Sequence, residues 1–169
     1  MDTHGDMHLD PMALPAEGPF VGQFLHALDP KKRLTIPSEW RELVGLPQRL
    51  YIVKGLRDEQ CLYVLPDRVF KGMFAKISKL SDDKGRQYAR ILGANSQMVT
   101  WDAQGRIRVN DDMLAFAGIG EQVQLVGSLY RMEMWSHEVW SRTLAASTLT
   151  SAGGGITLAD AFEYLENTP

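Results

Sequence analysis

The chain has 169 residues, of which 44% are hydrophobic, 23% charged and 9% aromatic, proportions typical of a soluble globular protein. They exclude collagen-like and disordered chains, and no apolar run reaches the roughly 18 residues of a membrane helix. The net charge of −3 conceals a basic segment, because residues 20–90 carry 14 Lys and Arg against 8 Asp and Glu. We expect that segment to bind a polyanion. The alternative is that its lysines and arginines only keep exposed helix faces soluble. Since the first basic residue, Lys31, comes too late for a signal peptide, we expect a cytoplasmic protein.

An internal repeat organises the chain. A shift of 73 positions lays residues 29–54 on residues 102–127 without a gap, and the apolar positions match as well as the polar ones. After a loop three residues shorter in the second repeat, the match resumes at Leu62 with Met132. The identities include Asp29 with Asp102, Arg33 with Arg106, Gly45 with Gly118 and Val53 with Val126. Two tandem units of one supersecondary structure are the simplest explanation.

Each repeat reads as strand, connection, strand, short helix, strand, loop and strand. The predicted strands are 20–28, 34–36, 50–53 and 62–65, with 123–126 and 132–135 in the second repeat. Ser38 and Asp111 are predicted to cap the two short helices, and Gly45 and Gly118 to close them in a left-handed conformation. Because strands this short cannot stand alone, we expect the two repeats to pair in one small closed barrel.

Helical spacing of apolar residues predicts a helical hairpin between the repeats, over 69–80 and 83–94, broken near Ser81 and Asp82. A further helix is expected after Trp135, then a flexible linker over 151–155 and a final helix with an apolar stripe at Leu158, Ala161, Phe162 and Leu165. The fold class is therefore α+β, mainly β. The predicted domains are a disordered extension 1–19, repeat 20–70, helical connector 71–95, repeat 96–141, and C-terminal helix and flexible tail 142–169.

The repeat carries one polar signature twice, an aspartate followed four residues later by an arginine in a strand-to-strand connection. A carboxylate in such a bend can accept backbone N–H bonds and hold the guanidinium by a charge-assisted bond. An arginine fixed in this way suits phosphate oxygens or the O6/N7 edge of guanine. The alternative is two ordinary surface salt bridges. The candidate DNA-binding residues are Asp29, Lys31, Lys32, Arg33, Asp102 and Arg106.

These residues resemble those of the MraZ family, bacterial regulators built of two tandem AbrB-like (SpoVT-AbrB, swapped-hairpin) repeats. The resemblance extends from about Phe20 to Leu144. In the first repeat it rests on Phe20, Gly22, Leu28, Asp29, Arg33, Ile36, Pro37 and Arg41. In the second it rests on residues 102–106 (Asp-Ala-Gln-Gly-Arg), 125–127 (Leu-Val-Gly), 133–135 (Glu-Met-Trp) and Trp140.

The resemblance implies that both Asp-x-x-x-Arg loops face double-stranded DNA and that the arginines make the main contacts. It further implies a homo-oligomeric ring, octameric or dodecameric, that associates with the nucleoid and represses its own division and cell wall operon through upstream direct repeats. Lys32 stands where the first motif of the family usually has Gly, so a bend with positive φ must be held by a non-Gly residue or be reshaped. In the repeat alignment Lys31 and Lys32 are matched by the uncharged Gln104 and Gly105. The first repeat is therefore expected to supply more of the electrostatic affinity for DNA.

No pattern points to catalysis, since the sequence has no Gly-rich phosphate loop, nucleophile elbow or Cys/His metal spacing. Cys61 lies in an apolar run and reads as a small buried hydrophobe. We therefore expect no catalytic residue, cofactor, metal, membrane partner or small-molecule substrate. Two alternatives to a DNA-binding regulator stay open: an antitoxin of the same fold, and an AbrB-fold assembly or protein-binding module without operator binding.

Overall fold

The repeat seen in the sequence is present in the structure element by element. A computed structural model of the protein describes residues 18–56, 58–146 and 156–169. The first repeat and the hairpin after it consist of β1 Gln23–Ala27, β2 Arg33–Thr35, α1 Ser38–Val44, β3 Leu50–Lys54, β4 Leu62–Pro66, α2 Asp67–Ser78 and α3 Asp83–Ala94. The remaining elements are β5 Ser96–Val99, β6 Arg106–Arg108, α4 Asp111–Ala117, β7 Gln122–Gly127, β8 Met132–Ser136, α5 His137–Ala146 and α6 Leu158–Glu166.

The two repeats exchange strands. Six strands form one antiparallel sheet in the order β1-β7-β8-β4-β3-β5, and the short strands β2 and β6 form a separate ribbon. The first strand of each repeat, β1 or β5, therefore pairs with the third strand of the other repeat. If each strand is replaced by its counterpart in the other repeat, the strand order is reversed and every pairing is kept. The two repeats are therefore related by an approximate two-fold axis that passes through the ribbon and between β4 and β8.

The expected closed barrel is wrong. Within the described residues, β1 and β5 lie at opposite edges of the open six-stranded sheet, and β2 and β6 pair with each other instead of joining those edges. Each ribbon strand has three residues, and all three pair with the other ribbon strand, so the ribbon does not bridge the two edge strands. The helices α1 and α4 cover the apolar face instead, through buried side chains such as Trp40 and Met113.

Two apolar clusters lie on opposite faces of the sheet. The larger one packs alternate side chains of the sheet, such as Ile52 and Met134, against the ribbon and the helices α1 and α4. The second packs the opposite side chains, such as Tyr63 and Trp135, against the helices that follow β4 and β8. This alternation is the period of two expected of β strands. The result is a mixed α and β protein of three layers, in which the ribbon forms part of one outer layer. The prediction of a mainly β protein is wrong, because the described helices contain more residues than the strands.

The short helices begin one residue earlier than the predicted caps imply. Pro37 and Asn110 occupy the N-cap positions, neither helix has a side-chain cap bond, and Ser38 and Asp111 are the first helical residues. Both cap residues are extended, with ψ of 138° and 148°, and this conformation turns the chain from the ribbon into the helix. Gly118 closes α4 in the left-handed helical conformation, as predicted. The same prediction is wrong for Gly45, which has a φ of 70° but a ψ of −150°.

The predicted helical hairpin is confirmed in type and in position. The side chain of Asp82 accepts a hydrogen bond from the backbone N–H of Gly85 and so begins α3. The final helix is also present, and Thr157 and Asp160 form a reciprocal capping box at its start. The predicted disordered extension lies, apart from its last two residues, outside the described part of the chain, and so does the linker 151–155. None of the described helices is both long and apolar enough to cross a membrane.

Candidate nucleic-acid interface

The first loop, residues 29–33, is a tight connection between β1 and β2. The backbone N–H of Lys32 donates to the carbonyl of Asp29 at 2.9 Å, and the N–H of Asp29 donates to the carbonyl of Arg33 at 3.0 Å. Lys32 has a φ of 61°. This is the pattern of a three-residue hairpin in which a turn is followed by one left-handed residue. The bend expected to need glycine is thus held by a lysine and is not reshaped.

The Asp29 carboxylate organises this loop. One of its oxygens accepts the backbone N–H groups of Lys31 and Arg33, both at 2.9 Å. The other accepts Nε of Arg33 at 2.6 Å. Because the carboxylate engages only the Nε side, the two Nη groups of the guanidinium remain for another acceptor. The sequence-based prediction of a carboxylate that both closes the bend and orients the arginine is confirmed in geometry.

The second loop, residues 102–106, has the same geometry. Asp102 accepts the backbone N–H of Gln104 at 2.9 Å and that of Arg106 at 3.0 Å, and it accepts Nε of Arg106 at 2.9 Å. Gly105 takes the left-handed position with a φ of 78°. Two loops with different central residues therefore present their arginines in the same way.

Both aspartates are held in the charged form. Lost hydration raises the pKa of Asp29, but hydrogen bonds from the backbone and side chain of Arg33 and from the backbone of Lys31 outweigh it. The pKa of Asp29 consequently lies below its ordinary value of 3.8. The backbone N–H of Arg106 is the largest cause of the lowered pKa of Asp102, followed by opposing desolvation and by the Arg106 guanidinium. At neutral pH each loop therefore carries an ionised carboxylate that positions an arginine.

The ribbon brings the two loops together. Arg33 lies directly opposite Arg108, and Thr35 lies opposite Arg106. Residues opposite each other in an antiparallel pair share a face, and so do residues two apart in a strand. The intervening Leu34 and Ile107 are fully buried in the core below. Three arginines thus lie on the outer face of the ribbon, Arg33 and Arg108 at one end and Arg106 at the other, about 7 Å apart along the strands.

Arg41 of α1 extends this face toward the second loop. Its Nε donates to the carbonyl of Ile36 at 3.1 Å. A Cβ atom built on Gly105 would come within 2.6 Å of the Arg41 guanidinium carbon, so the two groups are in direct contact. The backbone N–H of Ile36 donates to the Gly105 carbonyl at 2.9 Å, which ties the helix start to that loop. We call Lys31, Lys32, Arg33, Arg41, Arg106 and Arg108 the ribbon surface.

All six predicted residues lie in the two loops of this ribbon, and the sequence analysis missed Arg41 and Arg108 as members. Arg108 could have been found, because a strand beginning at Arg106 presents its third residue on the same face. Arg41 could not, since its contact with Gly105 depends on the pairing of β2 with β6 across the two repeats.

Cys61 belongs to a separate group in which Cys61 and Glu133 are buried and Glu59 is exposed. Its Sγ lies within 4.8 Å of carboxylate oxygens of Glu59 and Glu133. Burial raises the pKa of the Cys61 thiol, and the charges of Glu133 and Glu59 raise it further. Glu133 already accepts hydrogen bonds from Arg131 at 3.0 Å and from the indole of Trp135 at 3.1 Å. The group is therefore a protonated thiol beside an occupied carboxylate, which is poor chemistry for a metal or a nucleophile.

The fold and the ribbon surface define a class of protein: tandem-repeat, mixed α and β, with arginines from both repeats presented on one exposed face. No family model matches the chain. The transcriptional regulator MraZ of Clostridium acetobutylicum is 35% identical over 123 residues, which cover 72% of this chain and 84% of the relative. Proteins of the same name from Finegoldia magna and Thermomicrobium roseum are 32% and 33% identical over 77% and 80% of this chain, and 90% and 92% of their own. The chain belongs to the MraZ family, as its motifs indicated.

Proposed function

We propose that this protein is a transcriptional regulator that binds double-stranded DNA in a sequence-specific manner through the ribbon surface. The observation that carries the proposal is the common face of Arg33, Arg106 and Arg108, two of them oriented by buttressing carboxylates. The relatives named as transcriptional regulators support it. They also support a role without catalysis, so we propose no enzymatic activity, cofactor or small-molecule substrate.

The proposed contact uses the ribbon as the reading element. A two-stranded ribbon fits the major groove of B-DNA, which is about 12 Å wide. The free Nη groups of Arg33 and Arg106 would bond to guanine O6 and N7 or to phosphate oxygens, with little side-chain entropy left to lose. Lys31 and Lys32 would act as point charges toward the phosphate backbone. Arginines would thus supply sequence preference, and lysines would add affinity that falls with salt.

We further propose that the operator consists of direct repeats upstream of the protein's own division and cell wall operon, and that repression there is autoregulatory. The subunits would form an octameric or dodecameric ring, associated with the nucleoid in the cytoplasm. One ribbon surface is small, so several surfaces acting on repeated sites would raise affinity through effective concentration. Within each subunit we assign two swapped-hairpin repeats, 20–70 and 96–141, with the connector 71–95 between them.

The test is fluorescence anisotropy of the full-length protein on a labelled duplex from upstream of its own gene. A duplex of the same composition in scrambled order is the control, and both are titrated at several salt concentrations. We expect tighter binding to the native duplex, with an affinity for both that falls as salt rises.

Two outcomes would contradict the proposal in different ways. Equal weak binding to both duplexes would leave only a charge effect and would remove sequence specificity. No binding at low salt would remove DNA as the partner and would favour the protein-assembly module instead.

A further inference from the structure

The final helix has an apolar stripe that the described structure leaves uncovered. Leu158, Phe162 and Leu165 recur at helical spacing and are 55%, 59% and 66% exposed. The helix has nine residues, and an isolated helix of that length is marginal in water even with good caps. Its stability therefore requires an apolar surface against which the stripe can pack. This helix lies beyond the part of the chain that resembles the MraZ family, which ends near Leu144.

A groove on the same chain offers such a surface. It lies between α2 and α3 and reaches the loop after β3 and the end of α4, with a cavity volume of about 400 Å³. Its lining is almost wholly apolar and includes Leu56, Met73, Ile77, Tyr88, Ile91 and Phe116. Ile91 and Leu56 are 62% and 65% exposed. Exposed apolar residues gathered around one concavity are typical of a binding groove rather than of scattered surface positions.

The charges of the two elements are complementary. Residues 156–169 carry Asp160, Glu163 and Glu166 and no basic residue. The helical hairpin 67–94 carries seven Lys and Arg against three Asp, and Lys54 lines the groove itself. At 100° per residue Glu166 lies beside the stripe, whereas Asp160 and Glu163 lie toward the opposite side of α6. A helix seated by its stripe would therefore bring Glu166 to the edge of the groove and place a segment of net negative charge against a hairpin of net positive charge.

We propose that α6 of one chain docks into the α2–α3 groove of a second copy of the same chain. Within a single chain both the stripe and the groove stay open, so each needs an occupant, and a second chain supplies both at once. Such a contact is heterologous, with different surfaces on the two partners, and a heterologous contact that closes on itself generates a ring. Because α6 lies outside the family-like part of the chain, the inference adds a contact specific to this chain to the proposed ring and does not account for the ring itself. It rests on that part of the proposed function, but not on DNA binding.

The test joins the two surfaces covalently between chains. Two full-length variants, Phe162→Cys and Ile91→Cys, are co-expressed with different affinity tags and oxidised mildly without DNA. Both positions are exposed, and the native Cys61 is buried. A disulfide requires Cα atoms within about 7 Å, so we expect a cross-linked species that carries both tags. In the matched controls the cysteine is moved to an exposed position nearby. Tyr164→Cys, outside the stripe, replaces Phe162→Cys, and Phe74→Cys, outside the groove, replaces Ile91→Cys. We expect little doubly tagged product from either control.

The outcomes separate the possible occupants. A doubly tagged product confined to the Phe162→Cys and Ile91→Cys pair supports docking between chains. A third variant carries both Phe162→Cys and Ile91→Cys in one chain. If this variant cross-links only within its own chain, and the co-expressed single variants do not cross-link, the proposal is overturned in favour of self-docking. Failure to cross-link in either arrangement, or equal yield with the controls, would overturn it in favour of another partner. None of these results depends on the DNA anisotropy experiment, so the two proposals can fail separately.

Discussion

The two Asp-x-x-x-Arg loops share one backbone geometry but differ at every central residue. The first has Pro30, Lys31 and Lys32 where the second has alanine, glutamine and Gly105. The left-handed residue has a φ of 61° in the first loop and 78° in the second. Since the aspartate accepts the same three bonds in both, the carboxylate and the arginine fix the bend, and the central residues are free to vary. The loops therefore differ in charge and strain, and not in shape.

The first loop pays for its lysine with backbone strain at Lys32. A left-handed conformation costs a residue with a side chain about 1–2 kcal/mol, whereas glycine adopts it freely. The first loop carries this strain at Lys32 and gains a cation there. Strained backbone tends to persist where it serves function. The comparison thus adds to the proposed function the expectation that charge in the first loop, beyond its shape, contributes to DNA binding.

The largest expected effect comes from removing each oriented arginine. Arg33→Ala and Arg106→Ala should each weaken operator binding by about 5- to 150-fold, the range of one good bidentate contact of about 1–3 kcal/mol. We expect comparable losses for the two variants, because the two loops orient their arginines in the same way. Fluorescence anisotropy at a fixed salt concentration measures the dissociation constant of each variant for the operator duplex.

Arg142→Ala is the matched control for this pair. Arg142 is also paired with an acid four residues away, Glu138, but it lies on α5 and is 67% exposed. Its removal changes the net charge equally and should leave affinity nearly unchanged. If all three variants lose affinity alike, binding is a general charge effect and the ribbon surface is not the reading element.

Much of this comparison could be predicted from the sequence. The shift of 73 positions aligned both loops, and helical spacing located the connector over 83–94 where α3 is found. Local chemistry determines these features: a carboxylate four residues from an arginine, glycine after a helix, apolar residues at a fixed period. Asp82 as a helix cap follows from the same local rules.

The open sheet and Arg41 could not be predicted, because both depend on contacts between the repeats. A pattern of short strands is compatible with a closed barrel or with an open sheet, and the pairing of β2 with β6 decided between them. The contact between Arg41 and Gly105 joins residues that are distant in sequence and meet only after the ribbon has paired. Sequence spacing carries no information on such pairings.

Exchanging the left-handed residues should separate strain from charge. Lys32→Gly removes a strained side chain, and we expect about 0.5–1 kcal/mol of added stability, less than the full strain because glycine gains entropy in the unfolded chain. The same variant should bind DNA more weakly, with a smaller salt dependence. Gly105→Lys should instead lose about 1–2 kcal/mol, since lysine there is strained and displaces Arg41. Chemical denaturation measures the stabilities.

Lys31→Gln is the control for the charge component. Lys31 is not a residue of positive φ, so this variant should weaken DNA binding without altering stability. If Lys32→Gly leaves both stability and affinity unchanged, the strain at Lys32 is not significant and the first loop has no electrostatic advantage over the second.

The smallest expected effect is a difference in how the two aspartates titrate. Both pKa values lie below 3.8 in the folded protein. The stabilisation from each carboxylate is therefore fully present above the unfolded value and is lost as the pH falls through the folded value. Arg33→Ala should raise the pKa of Asp29, because it removes the guanidinium bond, and should leave Asp102 unchanged, since that loop has its own arginine. Carboxyl chemical shifts followed by NMR from pH 6 downward, over the range where the fold persists, measure both values in one sample. If the pKa of Asp102 also rises in the Arg33→Ala variant, the ribbon couples the two loops electrostatically, and the loops do not act as independent copies of one motif.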